Sequence, residues 1–248
     1  MIIPKNKQLI LNTTTTTLKI FTKLSRVFLL LLLVACKSDN SEKISVSQTA
    51  VSENSAEETS TSSAKKIIFF GDSLTAGYGL DDVDEAFPGI IQGKIDALDL
   101  DYTVVNSGVS GETTSGGKNR IEWVLNDEPS IFVLELGAND GLRGVPLQET
   151  TNNLQFIIDA VHNKYPTSKI IIAGMQLPPN MGQKYTTEFK NLFSSLAEKN
   201  KLQLVPFLLE NVGGIATLNQ SDGIHPTKEG HQILATNVWN VLQPLLEK

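Results

Sequence analysis

The chain has 248 residues, of which 40% are hydrophobic and 19% are charged, a balance typical of a globular protein rather than a disordered one. The single cysteine excludes a disulfide framework and a metal cluster of several thiolates, and three histidines leave little room for a histidine-rich metal site, so we expect no metal site. The formal net charge of −6 disfavours binding to nucleic acids by charge alone.

Residues 1–35 have the layout of a signal peptide. Basic residues, without any acidic one, precede nine consecutive apolar residues from Val27 to Ala35. A membrane-spanning helix needs about 20 such residues, so this run is too short to be one. The segment Leu33–Cys36 resembles the bacterial lipobox, and the resemblance implies that Cys36 carries a lipid. The alternatives are a plain signal peptide with an incidental cysteine and a short anchor that is never cut.

Residues 36–64 predict a flexible tether, because they are rich in serine, threonine, glutamate and alanine and contain no aromatic residue and no apolar periodicity. Together with a lipid on Cys36, this segment predicts an exported lipoprotein. We expect it to be anchored in a membrane of a bacterial cell envelope, on either the periplasmic or the surface face.

Residues 65–248 predict one α/β domain, because short apolar runs alternate with helical patterns. Five runs are typical of buried parallel strands: Lys66–Phe70, Thr103–Val105, Ile131–Leu136, Lys169–Met175 and Leu202–Phe207. Three stripes of apolar residues at helical spacing predict amphipathic helices: Leu154, Ile157, Ile158 and Val161; Tyr185, Phe189, Leu192, Phe193 and Leu196; and Ile233, Leu234, Val238, Val241 and Leu242. Trp123 and Trp239 lie in helical stretches, and we expect them in the core.

A parallel sheet brings the carboxyl ends of its strands to one edge, where ligands bind. The segments that follow the predicted strands, the last after a longer loop, are polar or rich in glycine: Gly71–Ser73, Asn106–Gly111, Gly137–Asp140, Gln176–Pro179 and Asp222–Pro226. We therefore expect these segments to form one functional site.

Three of these residues suit acyl transfer, which needs a nucleophile, a base and a group that orients the base. Ser73 is the candidate nucleophile, at a strand-to-helix turn where Gly71 permits a sharp bend. Its alternative role is a helix N-cap. His225 is the candidate base, and Asp222 is placed to hold its Nδ1–H so that Nε2 faces Ser73. A histidine in an ordinary loop before proline is the alternative for His225.

The same edge also supplies candidate donors for an oxyanion. They are the side-chain amide of Asn139 and the backbone N–H groups of Ser73 and Gly111. The alternative role of Asn139 is an Asx turn with Asp140.

Four segments resemble the sequence blocks of the SGNH (GDSL) hydrolases: FGDSLTAGYG around Ser73, VVNSGVSGETTSGG around Gly111, LELGANDGLRG around Asn139 and DGIHPTKEGH around His225. The resemblance covers essentially all of residues 66–248. It is strongest to the multifunctional subgroup of acyl-thioesterases, lysophospholipases and arylesterases.

This resemblance implies a flavodoxin-like three-layer α/β/α sandwich, with a parallel sheet of about five strands and without metal or cofactor. It implies a catalytic triad of Ser73, Asp222 and His225, and an oxyanion hole of Ser73, Gly111 and Asn139. Gly108 is the other glycine of the second block, and the Ser-Gly-Glu-Thr context favours Gly111 as the donor.

Four apolar residues near the predicted edge are candidates for holding an acyl chain: Leu142, Pro178, Met181 and Ile224. Their alternative role is to seal the core. With them, the sequence predicts a monomeric serine esterase for small-molecule acyl esters, such as lysophospholipids, aryl esters or thioesters. The alternatives are a carbohydrate O-acetylesterase with the same triad and an inactive, membrane-tethered binding lipoprotein.

Overall fold

The structure, a computed structural model, describes residues 64–247. The predicted signal peptide (1–35), the lipidation of Cys36 and the predicted tether up to residue 63 lie outside this range. Among the described residues, no helix has the length and apolar character needed to cross a membrane.

Five parallel strands form one sheet with the order β2-β1-β3-β4-β5. Their bounds are β1 (Lys65–Gly71), β2 (Tyr102–Gly108), β3 (Pro129–Glu135), β4 (Lys169–Ala173) and β5 (Gln203–Val205). All five predicted strands are therefore confirmed, although their ends shift by several residues.

Seven α-helices lie between and after the strands of the described range: α1 (Ser73–Ala76), α2 (Phe87–Asp96), α3 (Thr114–Val124), α4 (Ala138–Leu142), α5 (Leu147–Lys164), α6 (Gln183–Asn200) and α7 (Lys228–Leu242). Helix α2 packs against α7, while α3 and α6 each pack against α5. These two groups cover the sheet, which confirms the three-layer α/β/α sandwich. The predicted apolar stripes of α5, α6 and α7 face the core.

The site-bearing loops converge because the strand order reverses beside β1. The chain steps from β1 outward to β2, and then crosses back to β3 on the other side of β1. A reversal of this kind opens a crevice at the carboxyl ends of the strands. The loops after β1, β2 and β3 all open onto this crevice.

Two features differ from the sequence predictions. Strand β2 continues to Gly108, because Asn106 and Ser107 pair in register with Phe69 and Phe70 of β1. Trp123 is 74% exposed, so its predicted core position is wrong. Its neighbours in α3, Ile121 and Val124, take the buried face of the helix, and position 123 points to the opposite side. Trp239 is half-buried and packs against the core, as predicted.

The turn from β1 into α1 is tight, and it depends on Gly71. A Cβ atom on Gly71 would lie 2.0 Å from Thr75 Oγ1 and 2.7 Å from the carbonyl oxygen of Glu135. The φ angle of Gly71 is not positive. Glycine is therefore needed for close approach, whereas the sequence suggested that it was needed for the bend.

Glu135, at the end of β3, lies fully buried beneath this turn. Its Oε2 accepts hydrogen bonds from Asp72 N (3.2 Å) and Thr75 Oγ1 (2.7 Å), while Oε1 has no partner among the described residues. Burial, followed by the nearby charge of Asp72, raises the pKa of Glu135 well above its ordinary value. Burial also raises the pKa of Asp72 to about 6, against the hydrogen bonds from Leu74 and Asn139. Within this pair, burial and the nearby charge of Asp72 therefore both favour the protonated form of Glu135.

The close approach at Gly71 is testable with two glycine-to-alanine substitutions. We expect Gly71→Ala to lower the free energy of unfolding by about 1–3 kcal/mol, because the new methyl group overpacks the turn. Gly93, inside α2, serves as the matched control, because a Cβ atom on it would have no neighbouring atom within 4 Å. We expect Gly93→Ala to raise the same free energy by about 0.5–1 kcal/mol. Urea unfolding measures both, and a Gly71→Ala protein as stable as the wild type would contradict this account.

The buried carboxyl of Glu135 makes stability depend on pH. A carboxyl group with a raised pKa in the folded state binds more protons folded than unfolded, so the free energy of unfolding falls as pH rises above the ordinary carboxyl pKa. Glu135→Gln has no proton to lose. We therefore expect its melting temperature, relative to that of the wild type, to increase between about pH 5 and about pH 8.

Thermal unfolding across this pH range provides the measurement. Glu122→Gln is the control, because Glu122 is exposed on α3. A difference between Glu135→Gln and the wild type that stays constant with pH, or that shrinks, counts against a raised pKa of Glu135 in the folded state.

Candidate active site

The hydroxyl of Ser73 and the imidazole of His225 meet at the carboxyl edge of the sheet. Ser73 is the first residue of α1, and its Oγ lies 3.0 Å from His225 Nε2. The helix N-cap is Asp72, whose side chain accepts a hydrogen bond from Leu74 N (3.0 Å). The alternative N-cap role for Ser73 is therefore wrong, and its hydroxyl is left to face the histidine.

Asp222 holds the other side of the His225 ring. His225 Nδ1 donates to Asp222 Oδ2 (2.6 Å), and Asp222 Oδ1 accepts from the backbone N–H groups of Ile224 (2.9 Å) and His225 (3.0 Å). These hydrogen bonds, the one from the His225 side chain foremost, lower the pKa of Asp222 to about 2. The carboxylate is therefore ionised at neutral pH, and it keeps the proton of a neutral His225 on Nδ1, so that Nε2 can accept from Ser73.

The loop that carries His225 is fastened to the chain that leaves α1. The Tyr78 ring packs on the His225 imidazole, with 4.5 Å between ring centroids. Gln220 Nε2 donates to the carbonyl oxygens of Tyr78 (2.7 Å) and Pro226 (3.0 Å). Sequence reasoning missed Tyr78 and Gln220, because the contact joins segments that are about 140 positions apart in the chain.

Asn139, in α4, points its side-chain amide toward the turn from β1 into α1. Its Nδ2 donates to Asp72 Oδ2 at 3.0 Å, and this contact replaces the Asx turn considered for it. The neighbouring Asp140 is buried and accepts from Thr114 N (2.8 Å), which ties α4 to the start of α3. Asp140 is thus a structural residue.

The backbone N–H groups of Ser73 and Gly111 have no acceptor among the described residues. Gly111 has a φ of +78°, which favours glycine. Gly108, by contrast, donates its N–H to Asn106 Oδ1 (3.0 Å), and a Cβ on it would lie 2.2 Å from Ala76 N. The geometry therefore leaves Gly111, and not Gly108, with an available N–H group.

An ion pair between Arg120 and Glu112, which the sequence did not predict, stabilises the loop that carries Gly111. Arg120 Nε donates to both carboxylate oxygens of Glu112 (2.7 and 2.9 Å), and its Nη2 donates to the carbonyl oxygen of Ser107 (2.8 Å). The Arg120 guanidinium also lies over the Phe70 ring, 4.0 Å from its centroid. This arrangement fixes the residue that follows Gly111.

The predicted acyl-chain residues differ in exposure. Leu142, Pro178 and Ile224 are exposed and so do not seal the core, while Met181 is half-buried. Tyr78 and Val109 are further exposed apolar residues next to the site, and the sequence analysis did not name them.

Another titratable group near the site is a buried histidine. His231 Nδ1 accepts from Phe87 N (3.2 Å) at the start of α2, and burial lowers the pKa of His231 to about 4. It is therefore a neutral structural residue. Within residues 64–247, no group of three or more His, Cys, Asp or Glu side chains is arranged to hold a metal ion.

Comparisons with known proteins agree in sequence and in fold. The family model of the GDSL-like Lipase/Acylhydrolase family matches residues 69–233. Esterase TesA of Pseudomonas aeruginosa is 38% identical over 189 residues, which cover 76% of this chain and 92% of the esterase. Thioesterase 1/protease 1/lysophospholipase L1 of Escherichia coli K12 is 33% identical over 184 residues, which cover 74% of this chain and 86% of that protein.

A solved structure gives the same result. The crystal structure of TesA matches with a TM-score of 0.70 at 37% identity, covering 73% of this chain and 100% of that one. Similarity of this extent shows common family membership, and the matched range includes every residue of the site described above. The chain therefore belongs to the GDSL-like lipase/acylhydrolase family, the SGNH hydrolases, and is a serine esterase of the GDSL type.

Proposed function

We propose that Ser73, His225 and Asp222 are the catalytic triad of this esterase and that they act through an acyl-enzyme. The observation that carries the proposal is the double contact of His225, with Nε2 3.0 Å from Ser73 Oγ and Nδ1 2.6 Å from Asp222 Oδ2. A nucleophile that contacts a base, with the base held by a third group, is the arrangement that activates a serine.

The first half of the reaction forms the acyl-enzyme. Ser73 Oγ attacks the ester carbonyl carbon while His225 Nε2 takes the hydroxyl proton, and the ionised Asp222 stabilises the resulting imidazolium. The tetrahedral intermediate then collapses, the carbon–oxygen bond to the alcohol breaks, and His225 returns the proton to the leaving alcohol. A thioester follows the same course with a thiol as leaving group.

The second half releases the acid. His225 removes a proton from water, which attacks the acyl-enzyme carbonyl, and Ser73 leaves with that proton. In both halves the developing oxyanion takes hydrogen bonds from Ser73 N–H, Gly111 N–H and Asn139 Nδ2. One copy of the chain thus supplies every group that the proposed reaction uses.

Acyl or aryl esters suit the surroundings of the site better than carbohydrate acetates. Apolar side chains stand exposed around it, namely Tyr78, Val109, Leu142 and Ile224. Each acyl CH₂ group that they bury is worth at most about 0.8 kcal/mol. The names of the relatives, which include esterase, thioesterase and lysophospholipase, support the same substrate classes.

Hydrolysis of p-nitrophenyl esters from acetate to palmitate tests this function, with Ser73→Ala as the control. We expect hydrolysis to depend on Ser73 and to be faster for medium or long acyl chains than for acetate, because the apolar side chains add binding energy. Hydrolysis by Ser73→Ala at the rate of the wild type would contradict the proposed triad. A flat profile would contradict the expected preference for medium or long acyl chains, and an optimum at acetate would favour the O-acetylesterase alternative.

We also propose that the chain is exported and anchored to a membrane through a lipid on Cys36. The support is the apolar run Val27 to Ala35, which ends directly before the only cysteine of the chain. The serine-rich residues after Cys36 suit a tether that holds the catalytic domain away from the lipid surface.

Fractionation of cells that produce the wild type or Cys36→Ser tests the anchor. We expect wild-type protein in the membrane fraction and Cys36→Ser protein largely outside it, because one thiol carries the whole attachment. Incorporation of labelled palmitate into the wild type is the direct readout. A Cys36→Ser protein that fractionates with membranes as the wild type does would exclude lipidation as the anchor.

A further inference from the structure

One exposed arginine bridges two residues of the proposed oxyanion hole. Arg143 directly follows α4, and its Nη2 donates to the carbonyl oxygen of Gly111 (3.0 Å) and to Asn139 Oδ1 (3.4 Å). The same nitrogen therefore touches the loop after β2 and the helix after β3. The triad itself makes no contact of this kind between those two segments.

Arg143 and Asp72 hold the Asn139 amide from opposite ends. Arg143 approaches the amide oxygen, and Asp72 Oδ2 accepts from the amide nitrogen at 3.0 Å. Turning the amide by 180° would set its NH₂ group against the guanidinium and its oxygen against the Asp72 carboxyl. Both contacts would then be repulsive, so the pair fixes which end of the amide faces Asp72 and the nucleophile.

The fixed orientation suits an oxyanion donor. A side-chain amide nitrogen has two hydrogens, and the bond to Asp72 uses one of them. The second hydrogen is thereby held in a defined direction for the oxyanion. A cation on the amide oxygen also polarises the N–H bonds, which strengthens them as donors.

The contact of Arg143 with the Gly111 carbonyl oxygen concerns the second donor, the Gly111 N–H group. Gly111 has a φ of +78° and is exposed in its loop. Arg120 already engages the next residue, Glu112, so that carboxylate is occupied elsewhere. Arg143 is the side chain that engages Gly111 itself, through its carbonyl oxygen.

We infer that Arg143 is a positioning residue that aligns two of the three oxyanion donors, the Asn139 amide and the Gly111 N–H group. The inference rests on the proposed function, because it assigns a task to a residue beside that oxyanion hole. It predicts that loss of Arg143 weakens the stabilisation of the transition state and leaves the binding of the ground-state ester nearly unchanged.

The first test compares the kinetics of Arg143→Gln and Arg143→Lys on one p-nitrophenyl ester. We expect kcat of Arg143→Gln to fall about 10-fold, the effect of one or two charge-assisted hydrogen bonds, with KM changed less than about twofold. Lysine keeps the positive charge but lacks the planar guanidinium group. We therefore expect the kcat of Arg143→Lys to lie between those of the wild type and Arg143→Gln. Added guanidinium is expected to restore part of the activity of Arg143→Gln.

Lys190→Gln is the matched control, because Lys190 is an exposed cation on α6, away from the site. We expect it to leave kcat and KM at wild-type values. An unchanged kcat in Arg143→Gln would overturn the inference. A raised KM with unchanged kcat would also overturn it, because Arg143 would then contact the substrate directly.

A double-mutant cycle tests whether Arg143 acts through Asn139. Asn139→Ala alone is expected to lower kcat about 10²–10³-fold, as removal of one oxyanion donor does. With Asn139 absent, Arg143→Gln is expected to cost clearly less than it does in the wild type, because only its contact with Gly111 remains. Equal fold losses in the two backgrounds would show that Arg143 acts independently of the amide, which contradicts the inference.

Ser73→Ala separates a failure of this inference from a failure of the proposed function. An ester-hydrolysing wild type, an inactive Ser73→Ala protein and a fully active Arg143→Gln protein would refute the role of Arg143 alone. A Ser73→Ala protein as active as the wild type would refute the proposed triad, and the role of Arg143 with it.

Discussion

The site depends on the hydrogen bonds that the buried Glu135 accepts beneath the turn from β1 into α1. One carboxyl oxygen of Glu135 accepts hydrogen bonds from Asp72 N and the Thr75 hydroxyl. These bonds fix the first turn of α1 against the end of β3. The space left above it admits only glycine at position 71. A buried carboxyl with one unpartnered oxygen costs stability, and unfavourable features of this kind concentrate at functional sites. The stability of the domain and the position of Ser73 are therefore set by the same few atoms.

Two aspartates of the site have pKa values shifted in opposite directions, and the shifts suit different tasks. Asp222 is exposed and accepts three hydrogen bonds, so it stays ionised and supports positive charge on His225. Asp72 is buried, and burial raises its pKa to about 6 against the hydrogen bonds that its carboxyl group accepts. Environments that separate the pKa values of neighbouring carboxyl groups are typical of enzyme sites. Here the Asp222 carboxyl contacts the proposed base, and the Asp72 carboxyl contacts the Asn139 amide of the proposed oxyanion hole.

The sequence predicted the five strands and the residues at their carboxyl ends, because burial and chain adjacency are local properties. It missed Glu135, Arg120, Arg143 and Gln220, whose partners are distant in the sequence and become neighbours only through the topology of the sheet. Glu135 had one visible signal, a carboxylate at the end of an otherwise apolar run. Trp123 shows the opposite error, since hydrophobicity alone does not tell which face of a helix a residue takes. The polar end of β2 was read as a loop for a similar reason.

The start of β1 adds a geometric consequence. Strand β1 begins at Lys65 and runs for seven residues to the turn that leads into α1. At the usual rise of a strand, this is a distance of about 23 Å. The point of entry and the catalytic crevice thus lie at opposite ends of the sheet. A domain held by its N-terminal side presents the crevice outward, toward esters that arrive from solution. Under the membrane attachment proposed above, an ester in that same membrane would reach the crevice only if the domain turned over.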